Sequence, residues 1–84
     1  MKMKKIIRQY ILGNLLFTED ESALQDDDSF LDGGIIDSTG VLEIILFIEE
    51  TFGIKVNDDE MLPGNLDSVN NLAAFVNRKQ AVAA

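Results

Sequence analysis

Hydroxyls and carboxylates must carry whatever chemistry this chain does. Its 84 residues include neither cysteine nor histidine, which excludes thiol nucleophiles, disulfides, the usual zinc ligands and any imidazole-based triad. One hydroxyl stands out by its setting. In "GGIIDSTGVLEIILFIEETFGIKV", Gly33 to Val56, Ser38 follows Asp37 at the junction of a glycine-bearing acidic stretch and a long apolar run. An Asp-Ser pair before a helix ordinarily serves as a cap, and Ser38 is the leading candidate for it. No histidine or lysine lies near it in sequence to activate the hydroxyl, so Ser38 does not read as a catalytic nucleophile.

The elements that must position this serine follow from apolar spacing. Ile6, Ile7, Tyr10, Ile11 and Leu15 fall on one face of a helix over about Lys4 to Leu16, with Lys4, Lys5, Arg8, Gln9 and Asn14 opposite. A long connection follows to Ile36, with Leu24, Phe30, Leu31, Ile35 and Ile36 available to pack it from within. The spacing predicts a second helix from Ser38 to about Thr51, stopped by Phe52-Gly53, with Val41, Ile44, Ile45, Ile48 and Phe52 turned to the core. Leu42, Glu43, Leu46, Glu49 and Glu50 then share the other side, a candidate docking face. A single turn is expected around Asp58 to Leu62, ended by Pro63-Gly64. A last helix from Asp67 or Ser68 to about Gln80 carries Val69, Leu72, Ala73, Phe75 and Val76 inward, leaving 81–84 as a flexible tail after a domain of 1–80. The predicted fold is all-α: a small bundle of three longer helices and one short one, with a long loop between the first and second helices.

Bulk numbers agree with a single folded domain. Hydrophobic residues make up 46% and charged residues 26%, with one proline, enough apolar surface for one modest core and too little chain for a layered enzyme pocket. The net charge of −8 is unevenly spread. Lys2, Lys4, Lys5 and Arg8 make the first 18 residues basic, whereas residues 19–60 set 14 acids against Lys55. So acidic a middle repels nucleic acid and steers toward basic protein surfaces. The basic-then-apolar N-terminus is interrupted by Arg8, Gln9, Tyr10 and Asn14 and precedes no small-residue cleavage site, so it reads as an amphipathic helix and not a leader. With no run of membrane-spanning length, the expectation is a cytoplasmic protein. Read as a calcium-binding loop from Asp28, the acidic stretch places Phe30 and Thr39 at the third and twelfth positions, where ligands are needed, which argues against a specific metal site.

The window Gly34-Ile35-Ile36-Asp37-Ser38, followed by Glu43, Glu49, Glu50, Phe52, Gly53, Ile54 and Val56, closely resembles the central signature of carrier proteins that bear 4′-phosphopantetheine. That family includes acyl, peptidyl and D-alanyl carrier proteins. The resemblance extends through "DDEMLPGNLDSVNNLAAFV" and covers nearly the whole chain. It implies that Ser38 receives the arm from coenzyme A through a phosphopantetheinyl transferase, with Asp37 helping to present it and Mg²⁺ supplied only by the transferase. The thiol that the sequence lacks would come with the arm. It also implies that Leu42, Glu43, Leu46, Glu49 and Glu50 meet basic partner enzymes, an acyl- or aminoacyl-loading ligase and a downstream synthase or transferase among them.

Two residues depart from the fatty-acid subgroup: Thr39 stands where many of those carriers have leucine, an apolar foothold for partners, and Gly40 follows it. The Asp-Ser-x-Gly pattern is similar to that of D-alanyl carriers, so cargo stays open between aminoacyl and acyl groups. A chain starting at Met1 without a flanking linker is expected to be a freestanding monomer with no catalytic activity of its own. The competing reading is an acidic helical interaction module in which Ser38 is only a helix cap.

Overall fold

A computed structural model describes residues 3–83. Among the described residues there are four α-helices, α1 (Met3–Asn14), α2 (Ser38–Phe52), α3 (Pro63–Leu66) and α4 (Val69–Ala83), with single 3₁₀ turns at Glu21–Ala23 and Asp58–Glu60. The all-α expectation holds, with α3 as the short helix. α4 is the common surface against which α1, α2 and α3 pack. The core is a single cluster in which Ile7 and Ile11 of α1, Ile44 and Ile48 of α2, and Val69, Leu72 and Val76 of α4 are almost wholly shielded from solvent. These positions recur at intervals of three and four residues, so each helix turns one stripe inward.

Helix boundaries differ from the sequence expectation where local chemistry decides them. α1 ends at Asn14, not Leu16. The N–H groups of Leu15 and Leu16 both donate to the Ile11 carbonyl at 3.0 Å, and Thr18 N–H donates to Leu12 at 2.9 Å. That closing pattern needs a left-handed residue, and Phe17 adopts it with φ 53°. Pro63 begins α3 instead of ending the preceding turn. At the first position of a helix its missing N–H costs nothing and its fixed φ is already helical. α4 starts after Ser68, whose Oγ accepts the Asn71 N–H at 3.0 Å, and it runs to Ala83, beyond the expected end at Gln80. The final residue of the anticipated tail, Ala84, lies outside the described residues.

The long loop between α1 and α2 is held by side chains that the periodicity does not single out. Arg8, assigned to the solvent face of α1, donates to the Leu24 carbonyl at 2.6 Å, to the Glu21 carbonyl at 2.7 Å and to Asp26 Oδ1 at 2.9 Å. It spans two carbonyls and a carboxylate with one planar fork, a task suited to guanidinium. Farther along, Phe30 is wholly buried. Its N–H donates to the Asp67 carbonyl at 2.9 Å, and its own carbonyl accepts from Ile35 and Ile36 at 2.9 and 3.2 Å. The Asp67 carboxylate accepts from Leu31 N–H at 3.1 Å and from the Ser29 hydroxyl. Leu31, expected to pack the loop from within, is instead 47% exposed, because this anchoring turns its backbone, not its side chain, toward the bundle.

The Asp58–Glu60 turn is tied across to α4. Lys79 Nζ donates to both Glu60 carboxylate oxygens at 2.7 and 3.0 Å, and Asn57 N–H donates to Glu60 Oε1 at 3.0 Å.

Two outcomes test these anchors. Asp67→Ala leaves the Leu31 N–H and the Ser29 hydroxyl unpaired, and is expected to lower unfolding stability by about 1–3 kcal/mol while raising amide exchange over residues 29–36, read by denaturant titration and hydrogen exchange. The Lys79 hydrogen bond, followed by the Asn57 N–H, lowers the Glu60 pKa below its ordinary 4.5. Its stabilisation is therefore complete above that ordinary value and is lost as pH falls through the lower folded value. Glu60→Gln should accordingly be less stable than wild type at neutral pH and converge on it in acid, as seen in paired thermal melts.

Candidate functional site

The start of α2 is built around a glycine and an aspartate. Asp37, not Ser38, is the N-cap: its backbone is extended and its Oδ1 accepts the Gly40 N–H at 2.9 Å. The Asp37 carbonyl accepts Val41 N–H at 3.0 Å, the first intrahelical bond. Ser38 is thereby displaced to the first helical position, and its exposed hydroxyl takes part in no hydrogen bond among the described residues. The N–H groups of Ser38 and Thr39, in the first turn, have no intrahelical acceptor and face the positive end of the helix dipole. An anion linked to Ser38 Oγ would find both.

Gly40 is buried, and a Cβ at this position would collide with Ile36 Cγ2. Ile36, itself 6% exposed, lies under the first turn and sets how α2 leaves the loop. The intrinsic penalty of a glycine in a helix is thus accepted for close packing beneath Ser38, not for tolerance at a frayed end. Just before, Gly34 takes φ 65°, reversing the chain from Phe30 toward Ile36.

Along α2 the sequence-predicted positions divide into three settings. Thr39, Leu42, Glu43, Leu46 and Glu50 are exposed, Leu42 at 55% and Leu46 at 60%. Ile44, Ile45 and Ile48 are buried, while Val41 and Phe52, expected in the core, are half-buried. Glu49 differs from its expected place on the docking face. It is half-buried, and its Oε2 accepts the Val56 N–H at 2.9 Å. Its carbonyl also accepts the N–H of Gly53, the left-handed helix stop with φ 67°.

Phe47, absent from the sequence-derived core, stacks on Tyr10 with centroids 4.0 Å apart and meets Phe52 edge-on at 6.4 Å. The Tyr10 hydroxyl donates to the Glu43 carbonyl at 3.4 Å. Burial, then the nearby Glu43 and Glu50 carboxylates, raise the Tyr10 pKa above its ordinary 10.0, keeping the phenol neutral. This aromatic pair joins α1 to α2. Its signal in sequence was Tyr10 on the apolar face of α1, with nothing to name its partner.

Two depressions flank α2. On the α3 side lies an apolar groove of about 150 Å³, lined by Leu31, Val41, Leu42, Ile45, Met61 and Leu66 among others. On the α1 side lies a cleft of about 400 Å³ with a mixed lining, reaching from Asp37 and Thr39 across to Asn14 and Phe17.

Residues 6–76 match the family model described as the phosphopantetheine attachment site. The chain is 38% identical over 65 residues to the D-alanyl carrier protein of Streptococcus pyogenes serotype M5 (strain Manfredo), covering 77% of this chain and 81% of that one. The same figures hold for the D-alanyl carrier protein of S. pyogenes serotype M1. In fold it is similar to the solution NMR structure of a holo acyl carrier protein from Nitrosomonas europaea, with a TM-score of 0.76 and 27% identity, covering 96% of this chain and 99% of that one. The chain belongs to the phosphopantetheine attachment-site family and is a carrier protein. The reading as a bare interaction module is not favoured. Among the described residues, no helix is long and apolar enough to cross a membrane.

Gly40→Ala is expected to force Ile36 aside and cost about 1–3 kcal/mol as an overpacked contact, against the slight gain an exposed helical site would give. Thermal melts of the variant, alone and combined with Ile36→Ala, should show the loss reduced when the opposing methyl is removed.

Proposed function

We propose that Ser38 is the residue that bears the 4′-phosphopantetheine arm, and that the cargo is a small aminoacyl group. The observation that carries the first part is the division of labour at the α2 N-terminus. Asp37 caps the helix, which leaves the Ser38 hydroxyl exposed and unengaged beside two N–H groups suited to a phosphate. When bound, the arm supplies the thiol on which cargo is held as a thioester. The aminoacyl reading rests on the D-alanyl carrier relatives and on Gly40 in the Asp-Ser-x-Gly pattern.

The remaining roles belong to this chain's own side chains. Asp37 uses Oδ1 for the cap, which leaves its other oxygen to face a transferase and the Mg²⁺ that enzyme brings. Nothing beside Ser38 would remove its proton, so the base also belongs to the transferase. Thr39, Leu42, Glu43, Leu46 and Glu50 form the exposed side of α2 offered to basic enzyme surfaces, an aminoacyl ligase and a downstream transferase being the classes implied. Glu49 has a structural task at the helix end and contributes less to that face than its position on the wheel suggests. The chain itself catalyses nothing, works as a monomer, and resides in the cytoplasm where coenzyme A and its ligase are met.

Incubation with coenzyme A, Mg²⁺ and a broad-specificity phosphopantetheinyl transferase should add one arm to the wild-type chain and none to Ser38→Ala, by intact mass. Addition to the variant would move the attachment to another hydroxyl, Thr39 first. Loading of the modified chain by an alanine-activating ligase, and not by a fatty acyl ligase, is the outcome that supports the aminoacyl cargo.

A further inference from the structure

Among the described residues, every hydrogen bond that leaves the segment 29–36 ends on Asp67. The Phe30 N–H donates to its carbonyl at 2.9 Å, the Leu31 N–H to its Oδ1 at 3.1 Å and the Ser29 hydroxyl to its Oδ2. The other ties of the segment are internal: Ser29 Oγ accepts the Asp32 N–H at 3.1 Å, and the Ser29 carbonyl accepts the Gly33 N–H at 3.0 Å. The anchor is itself fixed on both sides. The Asp67 N–H donates to the Pro63 carbonyl at 2.9 Å, closing α3, and the adjoining Ser68 is buried as it caps α4. Burial of Phe30 and Ile36 attracts without direction. Three hydrogen bonds to one held residue set an orientation.

That orientation reaches the serine in two steps. Ile36 Cγ2 lies against Gly40, where no methyl group would fit, and the Gly40 N–H is held by Asp37 Oδ1 at 2.9 Å. Ser38 and Thr39 lie between these two fixed points. We infer that Asp67 is a positioning residue for attachment of the arm, acting through the loop that carries the first turn of α2. The inference rests on attachment at Ser38 and deepens that reading. In the attachment step the Ser38 oxygen bonds to the pantetheine-bearing phosphorus of coenzyme A. The bond from that phosphorus to the bridging oxygen breaks, adenosine 3′,5′-bisphosphate leaves, and the serine proton passes to the base of the transferase. Such a displacement needs the hydroxyl aligned as well as exposed, and a misplacement of about 1 Å can cost on the order of 100-fold in rate. The acidic side of α2 that receives the transferase continues beyond the first turn. Loss of Asp67 therefore lowers kcat and leaves KM for this chain unchanged.

The test is steady-state kinetics of arm transfer with coenzyme A, Mg²⁺ and a broad-specificity phosphopantetheinyl transferase, followed by intact mass. Asp67→Ala, Asp67→Asn and Ser29→Ala are compared with wild type, and Lys79→Met is the control that loses only the Glu60 tie. Asp67→Ala is expected to lose about tenfold or more in kcat. Asp67→Asn, which keeps an acceptor for the Leu31 N–H, should recover most of it, and Ser29→Ala, which keeps the bonds to Phe30 and Leu31, should lose less. Hydrogen exchange at Gly40 and Val41 should rise in Asp67→Ala more than at Leu72 and Val76, which separates local release from a general loss of stability. A kcat for Asp67→Ala no lower than that of the Lys79→Met control overturns the inference. So does a KM increase shared by Asp67→Ala and Asp67→Asn, which would make the carboxylate a contact of the transferase. If Asp67→Ala does not fold, Ser29→Ala decides, and a wild-type kcat in that variant refutes the positioning role. A wild-type chain that takes no arm overturns the attachment reading instead, and is recognised before any variant is compared.

Discussion

The geometry of this molecule depends on Asp67. It sits at the joint of α3 and α4, yet its backbone carbonyl and both carboxylate oxygens are spent on residues 29–31, far away in sequence. A loop as long as that between α1 and α2 carries many backbone groups that no regular structure satisfies. Asp67 takes those nearest the site, and Arg8 takes the carbonyls nearer α1. Phe30 is then buried by its neighbours on both sides and passes the constraint on through its carbonyl to Ile35 and Ile36. Ile36 supports Gly40, and Gly40 sets the first turn of α2. The serine is thus placed by a chain of contacts that starts about thirty residues further along the sequence, at the joint of α3 and α4.

Within α2 a single helix serves three surroundings without conflict, because successive residues point 100° apart around its axis. Ile44 and Ile48 go to the core. Thr39, Glu43, Phe47 and Tyr10 face one another along the α1 flank, and Val41, Leu42 and Ile45 open onto α3. Between the flanks runs an outward strip that no element covers. The short α3, with only Leu66 buried among its residues, leaves that second flank lightly roofed, whereas the aromatic stack closes the first more firmly below the cleft.

Much of this was legible in the sequence. The three longer helices and most of the core follow from spacing alone, since burial of one stripe is what makes a helix of this size stable. The errors have identifiable causes. Ser38 and Asp37 are both good caps and adjacent, so composition could not say which would take the role. The carboxylate reaches the third N–H of the helix, and the serine moves one step inside. Pro63 can end one segment or begin the next, and only the chain direction after it decides. Arg8, Asp67 and the Tyr10–Phe47 stack are long-range contacts, for which a pattern of neighbours holds no signal. Phe17 broke a local rule outright, taking a conformation where glycine or asparagine would be expected. Ser38 stands out as a candidate through its whole window, not through the dipeptide.

The inward turn of Glu49 has a consequence for how the exposed strip of α2 can be read. With that carboxylate committed to Val56, the exposed side of α2, from the edge of the α1 flank outward, presents Glu43 and Glu50 seven residues apart, or about 10.5 Å along the axis, with Leu46 between them. This is a ruler with two marks. A basic surface whose cations share that spacing fits in one register only, since a slide of one turn would set a cation against Leu46 and leave a carboxylate unmatched. On such a strip, phasing more than total charge would decide where along the helix a basic surface fits.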